Sequence, residues 1–112
     1  MIYSSELIKG TLKTIVLKLL SEKKMYGYEI TQKVKELTFD KIHITEGALY
    51  PTLHALESEG LVTTELEYIG KRVRKYYSLS PAGTSKTKEK ISELADFMNT
   101  MTFLLDIKTT TA

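Results

Sequence analysis

A chain of 112 residues, 42% hydrophobic and 27% charged, has room for one domain with a modest core and the balance of an ordinary globular protein. It has no cysteine, which excludes disulfides and thiolate metal sites and fits a reducing compartment. No apolar run approaches the roughly 20 residues of a membrane helix, and the start MIYSSELIKG lacks a charged segment followed by an apolar one. The expectation is a cytoplasmic protein with no membrane association.

The net charge of +2 is unevenly divided. Met1–Ile44 carries +3, Thr45–Gly60 carries −3, Leu61–Ser80 carries +2 and Pro81–Ala112 is neutral. Any attraction to a polyanion must therefore come from the first third and from Leu61–Ser80.

In chain order, Ser5–Leu20 places Ile8, Leu12, Ile15, Val16, Leu19 and Leu20 on one helical stripe, with Lys9, Lys13 and Lys18 largely outside it. This predicts a single core-forming helix. Ser21–Met25 reads as a connection, and Tyr28, Ile30, Val34 and Leu37 predict a second helix over about Gly27–Leu37. After a loop at Thr38–Ile44, Leu49, Leu53 and Leu56 recur at i, i+4 and i+7 and define the buried side of a third helix. Thr45 suits its N-cap, Glu46 its first turn and Gly60 its C′ position. Pro51 predicts a slight kink or an irregular first turn. The order is that of a helix-turn-helix.

Leu61–Tyr68 is rich in β-branched and aromatic residues, and Arg72–Leu79 alternates, so the two predict a hairpin with Gly70 at its turn. Beyond Ser80-Pro81-Ala82-Gly83 a helical pattern runs to about Ile107. Its apolar residues Ile91, Leu94, Met98, Met101 and Leu105 alternate three and four apart, as in a coiled-coil seam. Ala95, Phe97, Leu104 and Ile107 widen that surface beyond what a small core covers, which predicts a homodimer through this helix. The fold class expected is mainly α with a small β-hairpin: a winged helix-turn-helix over residues 1–83, a dimerisation helix over 84–108 and a frayed tail at 109–112.

The third helix turns Gly47, Tyr50, Pro51, His54 and Ser58 away from the core, small or hydrogen-bonding residues that can approach a DNA groove. With Thr45 at its start and Lys71, Arg72, Arg74 and Lys75 on the hairpin, these form a candidate surface for double-stranded DNA. Four cations against Glu65 and Glu67 leave a surplus on the hairpin, although the same residues could form a solvated tip whose acids pair across the strands. His43 and His54 are the only two histidines, eleven apart, and with no cysteine the usual metal ligand sets cannot be completed locally. No cofactor is expected. No nucleophile–base arrangement, phosphate-binding glycine loop or paired-carboxylate signature is present, so the chain does not read as an enzyme.

On MYGYEI at Met25–Ile30, EGALYPTLHALESEGLV at Glu46–Val62 and GKRVRKYYSLSPAG at Gly70–Gly83, the chain resembles the PadR family of bacterial transcriptional regulators over nearly its whole length. The single C-terminal helix resembles the short subfamily. The resemblance implies a homodimeric, usually repressing transcription factor whose third helix enters the major groove while the wing touches backbone or minor groove. It assigns Tyr50 to the family's tyrosine and Arg72, Arg74 and Lys75 to its basic wing. Two departures are Ala48, where many members carry a hydroxyl residue, and Val73, which interrupts the basic run. Phe97, Met98, Met101 and Phe103 could line a pocket for a flat hydrophobic effector, but dimer packing explains them equally well. With no tryptophan, the aromatic clamp of some multidrug-binding relatives lacks its usual residue. The rival to DNA binding is a winged helix that meets another protein through the same surface.

Overall fold

The computed structural model describes residues 2–108; the predicted tail at 109–112 lies outside them. Where one helix was expected, two form: α1 (Ser5–Lys9) and α2 (Leu12–Leu20). Both the backbone N–H and the hydroxyl of Thr11 donate to the Ile8 carbonyl at 2.9 Å, closing α1 at Gly10, a poor helix former. The apolar stripe survives the break because Ile8 and Leu12 both turn inward. This explains why periodicity alone missed it.

Met25–Tyr26 forms a short strand, β1, within what read as connection and helix approach. It pairs antiparallel with a later strand, Met25 opposite Tyr77 and Tyr26 opposite Tyr76. Helix α3 (Gly27–Leu37) follows at once, the Glu29 carboxylate accepting from the Tyr26 N–H at 3.3 Å. Phe39 and Asp40 then take left-handed φ values of 52° and 63° to turn the chain toward the next helix.

Helix α4 (Glu46–Ser58) starts where expected, with the Thr45 hydroxyl accepting from the Ala48 N–H at 3.2 Å. It runs unbroken through Pro51. Having no N–H, Pro51 cannot donate to the Gly47 carbonyl. At the far end Leu61 N–H reaches the Leu56 carbonyl and Gly60 N–H the Glu57 carbonyl, both at 3.0 Å, with Gly60 at φ 74°. That is the Schellman closure a C′ glycine permits.

Strands β2 (Val62–Ile69) and β3 (Arg72–Leu79) pair in full register from Val62–Leu79 to Ile69–Arg72, turning at Gly70 (φ 62°). The sheet order is β1-β3-β2, so the wing is anchored at its base by a third strand. Helix α5 (Pro81–Leu104) is capped by the Ser80 hydroxyl, which accepts from Gly83 N–H at 3.0 Å and donates to the Gly60 carbonyl at 2.6 Å. It ends three residues before the predicted Ile107. Asp106, at φ 53°, turns the chain while Ile107 N–H closes back on Thr102 at 3.0 Å.

Val16, Leu17, Met25, Ile30, Leu49, Leu53 and Leu56 form the fully buried centre where α2, α3, α4 and β1 meet. Only the root of α5 joins it, through Gly83 and Thr87. At about 1.5 Å per residue the 24 residues of α5 make a rod of about 36 Å, matching the elongated 54 × 30 × 25 Å envelope.

Candidate nucleic-acid interface

Burying Leu49, Leu53 and Leu56 leaves Glu46, Gly47, Ala48, Tyr50, Pro51, His54 and Ser58 on the outer side of α4, all exposed. This outer side has two flanks. Gly47, Ala48, Pro51 and Thr52 face a cleft of about 740 Å³ shared with Ile8, Leu12 and Ile44. Tyr50 lies on the other flank, where a recess between α3, α4 and the wing brings it together with Tyr26, Gly27, Arg74, Lys75 and Tyr77.

Tyr50 is 46% exposed, but its ring is not free: it rests on the backbone of Gly27. Its neighbour Tyr77 is buried, and that burial, reinforced by Glu57 and Tyr50, pushes the Tyr77 phenol above its ordinary pKa. The Tyr77 phenol is therefore neutral at physiological pH. Thr45 and Thr52 already hold local hydrogen bonds, Thr45 to Ala48 N–H and Thr52 to the Ala48 carbonyl at 3.0 Å.

Strand alternation divides the wing cations by face. Arg72 and Arg74 share the outer face with Tyr76, Glu65 and Glu67. Lys75 points to the α4 side, 5.6 Å from the Tyr77 ring centroid and 3.8 Å from the Glu57 carboxylate. Arg74 lies over Tyr26, its guanidinium carbon 4.5 Å from the ring centroid. Lys71 and Arg72 at the tip are exposed. Lys71, Arg72 and Arg74 make no ion pair among the described residues. The cross-strand pairing considered for Glu65 and Glu67 does not form; both carboxylates hold Lys24 instead, each at 2.7 Å.

The structure thus brings Tyr50, Arg74 and Lys75 together and leaves Lys71 and Arg72 projecting. Thr45, Gly47 and Pro51 sit toward the α1 flank, with His54 exposed further along α4. Sequence reasoning missed Lys24, Tyr26 and Gly27 as neighbours of this surface. Their one signal was the MYGYEI segment. Among the described residues no group of three or more His, Asp or Glu side chains could hold a metal. None of the described helices is long and apolar enough to cross a membrane.

The residues assigned to dimerisation and to an effector pocket lie beyond the core, on α5 and, for Leu105, at its C-cap. Ile91, Phe97, Met98, Phe103 and Leu105 are exposed, Phe103 at 88%, while Leu94 and Met101 are half-buried.

A helix-turn-helix built from α3 and α4, with a two-stranded wing beside it, defines a winged helix-turn-helix protein. Residues 16–89 match the Transcriptional regulator PadR-like family. The chain belongs to that family of transcriptional regulators. Transcriptional regulator Rv3488 of Mycobacterium tuberculosis is 31% identical over 84 residues, covering 75% of this chain and 76% of that protein. A PadR family transcriptional regulator from Eggerthella lenta has a TM-score of 0.81 at 30% identity, covering 92% of this chain and 88% of that one. A transcriptional regulator from Clostridium thermocellum has a TM-score of 0.79 at 32% identity, covering 89% and 95%.

Proposed function

We propose that this regulator binds double-stranded DNA sequence-specifically as a homodimer and represses by occupying an inverted-repeat operator. The observation that carries this reading is the juxtaposition of the exposed, core-averse side of α4 with wing cations that no acid neutralises. In it, α4 enters the major groove with Gly47, Tyr50, Pro51 and His54 outermost. Lys71, Arg72 and Arg74 meet phosphates or the adjacent minor groove. Lys75, tethered to Glu57, contributes at the groove edge, and Thr45 caps the helix close to the backbone.

The division of labour is a DNA-reading unit over residues 1–83 and a dimerisation segment over 84–108, its helix α5 rooted in the core through Gly83 and Thr87. The exposed stripe on α5 supports the homodimer, and two-fold symmetry would set half-sites about one helical turn or a multiple apart. A small hydrophobic effector would find Phe97, Met98, Met101 and Phe103 only where two copies of α5 come together. The protein acts in the cytoplasm, without a catalytic step.

Salt-dependent binding to duplexes selected from random DNA tests the reading, with Arg72→Ala/Arg74→Ala as the probe. That variant should bind all sequences more weakly, and its slope of log affinity against log salt should flatten by up to about 0.9 per lost phosphate contact. Absence of duplex binding by the wild type would favour the rival protein-interaction module.

A further inference from the structure

The outer face of the sheet carries an ion cluster set apart from the groove-facing side of α4. Lys24 immediately precedes β1, yet its ammonium passes 5.3 Å from the Tyr76 ring centroid on β3 and ends between Glu65 and Glu67 on β2. Since the strand order is β1-β3-β2, one side chain staples three strands. The two carboxylate hydrogen bonds hold its ammonium well above lysine's ordinary pKa.

Arg74 stands on this same face directly opposite Glu67. Opposed side chains of an antiparallel pair start about 4.5–5.5 Å apart at Cβ and attract when oppositely charged. A carboxylate also takes a guanidinium bidentately, a geometry an ammonium cannot offer. Arg74 is nevertheless stacked on Tyr26, while Glu67 is occupied by Lys24.

We propose that Lys24 is a positioning residue for DNA binding: by occupying Glu65 and Glu67, it leaves Arg74, and Arg72 beside it, free to contact phosphate. The inference rests on the DNA-binding reading above. Without Lys24, Glu67 can draw the Arg74 guanidinium off Tyr26, and the Glu65 carboxylate is left uncompensated on the face that Arg72 and Arg74 share, where charges closer than a Debye length, about 10 Å at 0.1 M salt, are little screened.

The experiment is a cycle on the full chain: wild type, Lys24→Gln, Glu65→Gln/Glu67→Gln and the triple variant, titrated against one duplex between 50 and 200 mM salt. Lys24→Gln should weaken binding about tenfold and lower the salt slope by about one per subunit, as expected for one lost phosphate contact. In the Glu65→Gln/Glu67→Gln background the same substitution should cost less than about twofold. Lys24→Arg, which keeps the pairing, should bind nearly as wild type. In the free protein, the Arg74 Nε–Hε NMR signal should move on Lys24→Gln and return in the triple variant. Folding should survive, because exposed ion pairs contribute little to stability.

Equal losses in both backgrounds would make Lys24 a direct phosphate contact and overturn the proposal; so would no loss, or an unmoved Arg74 signal. A wild type without salt-dependent duplex binding would overturn the functional reading instead. The NMR arm would then still decide whether Lys24 withholds the glutamates from Arg74.

Discussion

The ring of Tyr50 lies so close to the backbone of Gly27 that a β-carbon on Gly27 would stand 2.6 Å from the Tyr50 hydroxyl and 3.0 Å from its Cζ. The two residues belong to successive helices of the helix-turn-helix, so the glycine fixes where the tyrosine can point. Gly27→Ala should leave the fold intact, because the group that must give way is the far end of a half-exposed side chain. Alanine is also the better helix former by up to about 1 kcal/mol, so stability should change by no more than about that amount.

Operator binding should fall by about 1–3 kcal/mol, the cost of a lost specific contact, and much less on random DNA. Because the effect runs through Tyr50, Gly27→Ala/Tyr50→Ala should bind no worse than Tyr50→Ala alone. A mutant cycle measured by fluorescence anisotropy, with melting curves alongside, checks this. Additive losses would show that the two positions act separately.

Gly83 presents the opposite case. A β-carbon there would sit 1.9 Å from the Leu61 carbonyl oxygen, and backbone cannot swing aside as a tyrosine can. That carbonyl already accepts from Ser80 N–H at 3.0 Å, so the root of α5 and the end of α4 are held together at this point. Gly83→Ala should destabilise by about 1–3 kcal/mol or more, the cost of overpacking a tight site, seen as a fall of several degrees in Tm. Gly47→Ala, whose new carbon would find its nearest neighbour at 3.9 Å, is the control. It should leave Tm unchanged or raise it, alanine being the better helix former.

Helix α4 and strand β3 could be read almost to the residue because their signals are local: a threonine cap, an apolar i, i+4, i+7 series, a C′ glycine and strict alternation. The break between α1 and α2 was hidden because Ile8 and Leu12 keep the same stripe on either side of it. A strand of two residues such as β1 exists only through its pairing with Tyr76 and Tyr77, which no local pattern announces. Likewise the acids at Glu65 and Glu67 had visible partners across the hairpin, yet Lys24, some forty positions earlier, holds them. The candidate surface was legible as a set of outward residues. How Tyr50 and Arg74 are oriented depended on contacts remote in sequence.

The wild-type protein should sediment as a homodimer at micromolar concentration. Helix α5 and its C-cap leave Ile91, Phe97, Met98, Phe103, Leu104 and Leu105 exposed, and an apolar surface of this kind marks an interaction site when it is contiguous. Met98→Glu/Met101→Lys places charges in the middle of that stripe and should give monomer or aggregate. Operator affinity should fall steeply with the lost second half-site. A monomeric wild type, or a variant that sediments unchanged, would rule out this seam as the interface.

Specificity must be reached without the usual partners of guanine, since α4 carries no lysine or arginine. The structure narrows the remaining contacts further: the Thr52 hydroxyl donates to the Ala48 carbonyl, the Thr45 hydroxyl is held at the helix start as acceptor for the Ala48 N–H, and the Tyr50 ring is fixed against Gly27. Direct readout is left largely to the Tyr50 hydroxyl, His54 and close approach at Gly47, contacts that discriminate weakly. An A·T-rich operator is therefore expected, in which groove width and deformability supply much of the preference and Arg72 or Arg74 enters a narrow minor groove beside each half-site. Replacing A·T pairs by G·C in the flanks, where α4 makes no contact, should weaken binding of the wild type. The same replacement should cost Arg72→Ala/Arg74→Ala much less. Selection from random DNA that returned G·C-rich half-sites with indifferent flanks would place the specificity in α4 alone.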